Sequence, residues 1–258
     1  MNVLGLMMVR NGENVLRRNL DSMAVYCDEI YALNDRSTDG TLDILRSHPA
    51  VTNIFSASAA VSQEDWFFSE SMNLNLLYRM ADFCLPDWII RLDHDEVFER
   101  GDELRGLLAS CGREVSGINV SRHSLWNDPD YPLMVPLMSP AKSLQGTIWR
   151  FYPGLESGKK RLHNRRLPCC IENLGKVQTM GDVKLYHDGW DTLAKRIEKV
   201  DQYTALDPGD EYNFGVSYDR GLLFGYERSA VDSLISDYRK KFEAYQKEAE
   251  ALEGVPAT

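Results

Sequence analysis

The sequence has no apolar run near the roughly 20 residues that cross a bilayer. Its longest near the start, NVLGLMMV, falls far short, and no basic segment or small-residue cleavage site accompanies it. We therefore expect no membrane span and no secretion, which makes the protein cytoplasmic. The five cysteines (Cys27, Cys84, Cys111, Cys169, Cys170) form no CxxC pair. The adjacent Cys169 and Cys170 cannot readily bridge each other. Structural zinc and a disulfide framework are thereby disfavoured, and a reducing compartment is suited. Positive charge is also scarce, with 29 Lys and Arg against 39 Asp and Glu and a net charge of -10. This argues against nonspecific attraction to nucleic acid or an anionic membrane. An anionic small ligand would need local help, from a divalent cation held by carboxylates and a few placed arginines. Internal repeats, low-complexity segments and a clear linker are absent as well.

What is there suffices for a full core: 258 residues, 43% of them hydrophobic and 10% aromatic. The first hundred residues alternate regularly. VLGLMMV reads as a strand, Val15, Leu16, Leu20 and Met23 recur at helical spacing, and EIYAL reads as a second strand. DRSTDGT supplies turn and cap residues before the helix TLDILRS, and VTNIF makes a third strand. A long helical pattern from Glu64 to Phe83 is stopped by Pro86 before a fourth strand, WIIRL. Strands alternating with helices predict a doubly wound, mostly parallel sheet whose ligands sit beyond the carboxyl ends of the strands. Both LNDRSTDG and LDHDEVF fall at such ends.

From about residue 115 the alternation is lost. SGINVSR, TIWRFYP and VKLYH read as strands, a proline-rich stretch lies between the first two, and a helix begins near Asp191. A final amphipathic helix carries Leu234, Tyr238, Phe242 and Tyr245 along one stripe, for packing on the main domain or on a second copy in a homo-oligomer. The expected division is residues 1–114 for the donor side, 115–228 for a loop-rich α+β acceptor side of the same domain, and 229–258 for the last helix.

Two chemistries place acids at a strand tip such as Asp93-His94-Asp95-Glu96-Val97. The run fits the D-x-D-x-[TV] of haloacid-dehalogenase-like phosphatases, with Asp93 as nucleophile. Ser121 could be their downstream hydroxyl, but Gly181-Asp182 is followed by Tyr186 where a second acid should stand. The alternative accounts for more of the chain. MMVRNGENVLRRNLDSM, EIYALNDRSTDGTLDIL and WIIRLDHDEVF, in that order and spacing, resemble the N-terminal half of family 2 glycosyltransferases of GT-A fold. A looser resemblance to bacterial members runs through LHNRRLP, LYHDGW, KRIEKVDQY and LDP.

The resemblance implies transfer of a sugar from a nucleoside diphosphate sugar (UDP, dTDP or GDP linked) to a saccharide or glycoconjugate acceptor, with inversion, in surface polysaccharide or glycoconjugate synthesis. It implies a GT-A, Rossmann-like fold and a divalent cation, Mn2+ or Mg2+, on Asp93, Asp95 and His187. Donor contacts fall to Val9, Arg10, Asn11, Glu13, Asp35, Asn75 and Asp93. Asp35 would accept the imide N–H of the nucleobase, and Arg10 would stack on the base where relatives often carry Tyr. The general base is sought among Glu172, Asp188 and Asp191, with Glu172 preferred because it follows the loop LPCCIE, whereas Asp191 reads as a helix cap. The arginine-rich KKRLHNRR is either a diphosphate or anionic-acceptor contact or a solvated loop. A catalytically silent nucleotide-sugar binder is the non-enzyme alternative.

Overall fold

A computed structural model describes residues 1–56, 66–124, 144–158 and 165–188, with backbone alone for 66–70 and 124. The chain divides into two compact units, residues 1–123 with 144–188, and residues 124–143 with 189–258. All that follows concerns the first unit. The helix expected near Asp191, the helix of residues 229–252 and the proline-rich stretch lie outside the described residues.

Strands β1 (Val3–Val9), β2 (Glu29–Asn34), β3 (Val51–Ser56) and β4 (Trp88–Asp93) alternate with helices α1 (Leu16–Met23), α2 (Thr41–Ser47) and α3 (Trp66–Cys84). The short β5 (Glu96–Phe98), helix α4 (Gly101–Ser110), β6 (Val115–Ser124), β7 (Leu144–Arg150) and β8 (Lys176–His187) follow. Among the described residues these form one eight-stranded sheet of order β3-β2-β1-β4-β7-β6-β8-β5. The β3-β2-β1-β4 half is parallel, while β7 joins β4, and β8 joins β5, antiparallel.

Strands β1, β2 and β4 are largely apolar and buried because both faces are covered, whereas the edge strand β3 is half-buried or exposed. Successive side chains on a strand alternate between faces. Val3, Met7 and Val9 of β1 pack with Leu16, Leu20 and Met23 of α1 and with Leu104 and Leu108 of α4. Leu4 and Leu6 pack with Leu77, Tyr78 and Ala81 of α3. Gly5 lets α1 approach β1, since a Cβ there would lie 2.7 Å from the Met23 Cε. Register fixes the sheet edge. Met8 of β1 pairs with Asp93 of β4, and Val9 pairs with Asn34 of β2. At the usual strand spacing, Asn34 and Asp93 flank the end of β1 roughly 10 Å apart.

Helices, strands and turn described up to residue 93 fall where the sequence puts them, within about two residues. Four features differ: helix α4 is not among the expected elements, and β7 runs over Leu144–Arg150 rather than over TIWRFYP. β5 is not evident in the sequence, and β8 begins at Lys176, well before VKLYH. Much of that extension is exposed or half-buried, so no continuous apolar run marks it. Among the described residues, no helix is long and apolar enough to cross a membrane.

Candidate functional site

At the carboxyl end of β1 the chain turns through Asn11, held at φ 50, and hydrogen-bonds onto the DRSTDGT turn that follows β2. Asn11 Oδ1 accepts from the Thr38 N–H at 2.9 Å, and Asn11 N–H donates to Ser37 Oγ at 3.0 Å. Gly12 N–H donates to Thr41 Oγ1 at 2.8 Å. Glu13 Oε2 accepts from Gly40 N–H at 3.0 Å, while its own N–H reaches Asp39 Oδ2 at 3.1 Å. Asn11 and Glu13, expected as donor contacts, thus tie two loops together. Partial burial pushes the Asp39 carboxyl up, but bonds from the Thr41 hydroxyl and the Glu13 and Thr41 N–H groups outweigh it and hold it below its usual range.

Asp35 is buried at this edge, its N–H on the Val9 carbonyl at 2.8 Å and its Oδ1 on Arg36 Nε at 2.8 Å. Arg36 has the left-handed φ of 56 that favours glycine. Arg10 is half-buried. Asn75, on α3, accepts the Ser157 N–H at 2.7 Å through its side-chain oxygen and links α3 to residues 153–158.

The acids after β4 turn tightly into β5, with Asp93 N–H donating to Glu96 Oε2 at 3.1 Å. The end of β8 lies against this turn. Glu96 pairs with His187, and the Asp188 N–H donates to the Asp95 carbonyl at 3.0 Å. His187 Nε2 lies 3.2 Å from Asp95 Oδ2, both side chains buried. Helix α1 supports the turn from beneath: Asn19 donates to the His94 carbonyl, and Arg18 pairs with Asp188.

Basic partners offset these acids. Glu96, with a wholly buried side chain, meets Arg122 Nε at 2.9 Å and Arg166 through both carboxylate oxygens, one at 2.8 Å. Arg166 also holds Asp93, whose other oxygen lies 3.9 Å from Arg91. Burial alone would push the Glu96 carboxyl up, but Arg166 and Arg122 outweigh it and bring it down to about 2. For Arg166, burial acts against the charge and Asp93 and Glu96 hold it, so its pKa rises. The sequence signals for Arg122 and Arg166 are weak: one sits in a strand, and the other ends a basic run that reads as solvated.

Among the described residues, no three His, Cys, Asp or Glu side chains gather as a metal-binding group. Of the three expected ligands, Asp95 and His187 are side by side, a carboxylate oxygen and an imidazole nitrogen suited to Mn2+. Asp93 is turned onto Arg166 instead. Of the expected bases, Asp188 is buried and paired with Arg18. Glu172 stands on the short 3-10 turn Ile171–Asn173 with its side chain 44% exposed, beside Arg165. That guanidinium holds the Glu172 carboxyl below its usual range. Asp191 lies outside the described residues. The phosphatase-like alternative wants its acids after the first strand of the core, whereas here they end β4.

No protein-family model matches the chain. An uncharacterized protein of Mycobacterium tuberculosis and one of Mycobacterium bovis are each 44% identical to it over 241 residues, or 93% of this chain. The chain spans 59% of the length of these relatives. Residues 1–349 of TarS from S. aureus, solved in complex with UDP-GlcNAc, match with a TM-score of 0.51 at 11% identity, over 92% of this chain and 71% of that one. Glucosyl-3-phosphoglycerate synthase from Mycobacterium tuberculosis, solved with Mn2+, UDP and glucosyl-3-phosphoglycerate, matches with a TM-score of 0.33 at 17% identity, over 47% of this chain and 44% of that one. The likeness to TarS is one of GT-A fold, and the mixed α/β fold expected from the sequence is the fold found.

Proposed function

We propose that the chain is a glycosyltransferase of the family 2 type, moving a sugar from a nucleoside diphosphate sugar to a hydroxyl of a saccharide or glycoconjugate acceptor. The observation that carries this reading is the shared sheet edge. Asp35 follows β2, Asp93 ends β4 with Asp95 just beyond it, and β1 between them registers with both strand ends. An edge at the carboxyl ends of parallel strands, with a buried carboxylate at one side and charged groups at the other, suits a nucleoside diphosphate spanning the two.

In this reading residues 1–114 hold the donor and later residues the acceptor, in the assembly of surface polysaccharide or glycoconjugate. Asp35 accepts the imide N–H of the base. Val9, Arg10, Asn11, Glu13 and Asn75 shape the donor side, and Asp93 accepts a hydroxyl of the donor. Asp95 and His187 would hold a divalent ion, Mn2+ or Mg2+, which when bound neutralises charge on the departing diphosphate. Glu172 takes the proton of the acceptor hydroxyl as its oxygen attacks the anomeric carbon. The sugar–phosphate bond breaks from the opposite side, its electron pair leaves on the diphosphate, and the configuration inverts. Arg165 keeps Glu172 ionised and ready to accept that proton, at some cost in basicity.

Calorimetry of the whole chain with UDP, GDP and dTDP, with and without Mn2+, tests the binding half of the proposal. We expect one nucleotide to bind more tightly with the metal. Release of free sugar from the matching nucleotide sugar then separates a transferase from a silent binder. If no nucleotide binds under either condition, the reading fails.

A further inference from the structure

Arg166 lies in a stretch whose basic composition reads as a solvated loop, yet its side chain is only 8% exposed. Burying a guanidinium is costly unless carboxylates satisfy it. Here Glu96 does so from β5, with both of its oxygens on the two terminal nitrogens of Arg166. Glu96 is fixed in turn by Arg122 Nε at 2.9 Å and by the Asp93 N–H at 3.1 Å. The backbone of Arg166 is pinned by α3, since the buried Tyr78 hydroxyl donates to its carbonyl at 2.8 Å. Side chain and backbone are therefore both held, and among the described residues the guanidinium also meets Asp93 Oδ2.

Asp93 differs from its partners. Its side chain is 34% exposed, against 0% for Glu96 and 8% for Arg166. It is thus the one member of this trio with an edge open to a ligand, and the buried pair sets where that edge points. Glu96 is shared between two arginines, Arg122 and Arg166, and Asp93 supplies the second carboxylate of the cluster. A fork that grips one carboxylate with both nitrogens and shares one of them with a second carboxylate aligns the two in a fixed geometry.

We propose that Arg166, clamped by Glu96 and pinned by Tyr78, is the positioning residue of the donor site, and that it acts by fixing the orientation of Asp93. Arg166 does not itself touch the donor. The inference rests on the nucleotide reading above and adds to it the device that preorganises the exposed acid.

The test is a double-mutant cycle on UDP affinity, measured by calorimetry on the whole chain with Mn2+ present. Arg166→Lys keeps the charge and loses the fork, and should weaken UDP binding about tenfold. Asp93→Asn should weaken it at least as much. In the Asp93→Asn background, Arg166→Lys should then change affinity by less than about twofold, because the group through which it acts is gone. Tyr78→Phe provides a second route that leaves every charge in place. It should weaken UDP binding about threefold in the parent and not at all beside Asp93→Asn. Additive losses, or parent-like affinity in both Arg166→Lys and Tyr78→Phe, would overturn the proposal. If Arg166→Lys does not fold, the Tyr78→Phe pair decides alone. Should the unaltered chain bind neither UDP, GDP nor dTDP with Mn2+, the nucleotide reading falls and this inference with it. Normal UDP binding with additive losses removes the inference alone.

Discussion

In the proposed mechanism Glu172 and its neighbour Arg165 bring together two demands that pull in opposite directions. A base must be ionised to accept a proton, and the guanidinium ensures this by holding the carboxyl below its usual value. Activity that depends on ionised Glu172 is lost as pH falls through that lowered value. The acid limb of a kcat profile should therefore lie below the ordinary carboxylate range, and Arg165→Met should move it upward. Glu172→Gln should lower kcat by about 10²–10⁴-fold, the usual span for a general base, with UDP affinity in calorimetry unchanged. Asp95→Ala should remove the metal-dependent part of nucleotide affinity, a loss of at least about tenfold or 1.4 kcal/mol. Loss of the same part in His187→Ala, read by the same titration, would join the imidazole to that carboxylate in function as they are joined in space.

At the scale of elements, the loops after β1 and β2 behave as one unit, and the bonds between them come from Asn11, Glu13, Asp39 and Thr41. Asp39→Ala should lower stability by about 1.5–3 kcal/mol in urea unfolding, the range for hydrogen bonds to a charged group. Because its folded pKa is lowered, Asp39 contributes fully above the unfolded carboxylate value of about 4. The contribution is lost as pH falls below that through the folded value, so the parent and Asp39→Ala should converge in strong acid. Gly12 sits where the loop meets the acid turn: a Cβ there would lie 2.7 Å from Val9 Cγ2 and 2.8 Å from His94 Cδ2. Gly12→Ala should push His94 aside and weaken UDP binding several-fold, measurable by calorimetry, if the two loop systems serve one ligand.

The elements were legible where periodicity is local. β1, β2 and β4 are continuous apolar runs, and α2 begins at the Thr41 that closes the turn. β5 escaped because three residues, Glu-Val-Phe, carry no period, and its first residue is a carboxylate that belongs in a core only once two arginines arrive. The candidate site divides along the same line. The acids could be named from their place at strand ends. The cations that orient them could not, because a buried arginine and a solvated one are the same letter, and burial is decided by partners distant in sequence. Arg166 illustrates this, being the last letter of a basic run until Glu96 and Asp93 are brought to it.

On the scale of the whole chain, a ligand that binds only the folded state adds its binding energy to stability. At a hundred times its Kd, the best nucleotide with Mn2+ should add about 2.7 kcal/mol and raise the melting temperature accordingly. Asp95→Ala should show little of this rise in the same scan.

The seating of β8 on the acid turn has a consequence for how the protein is made. The strand-and-turn pattern of the donor half is complete by Phe98, yet Arg166, His187 and Asp188, which neutralise and brace its acids, leave the ribosome long afterwards. Until then Asp93, Asp95 and Glu96 have Arg91 and Arg122 but not Arg166 against their like charges, whose mutual repulsion resists burial, and closing so long a loop is slow relative to local packing. Under the proposed function, a nascent chain stopped before Arg166 carries the strand-end acids that can be read from the sequence and lacks the groups that brace them, so a donor nucleotide meets no assembled site until synthesis has passed β8.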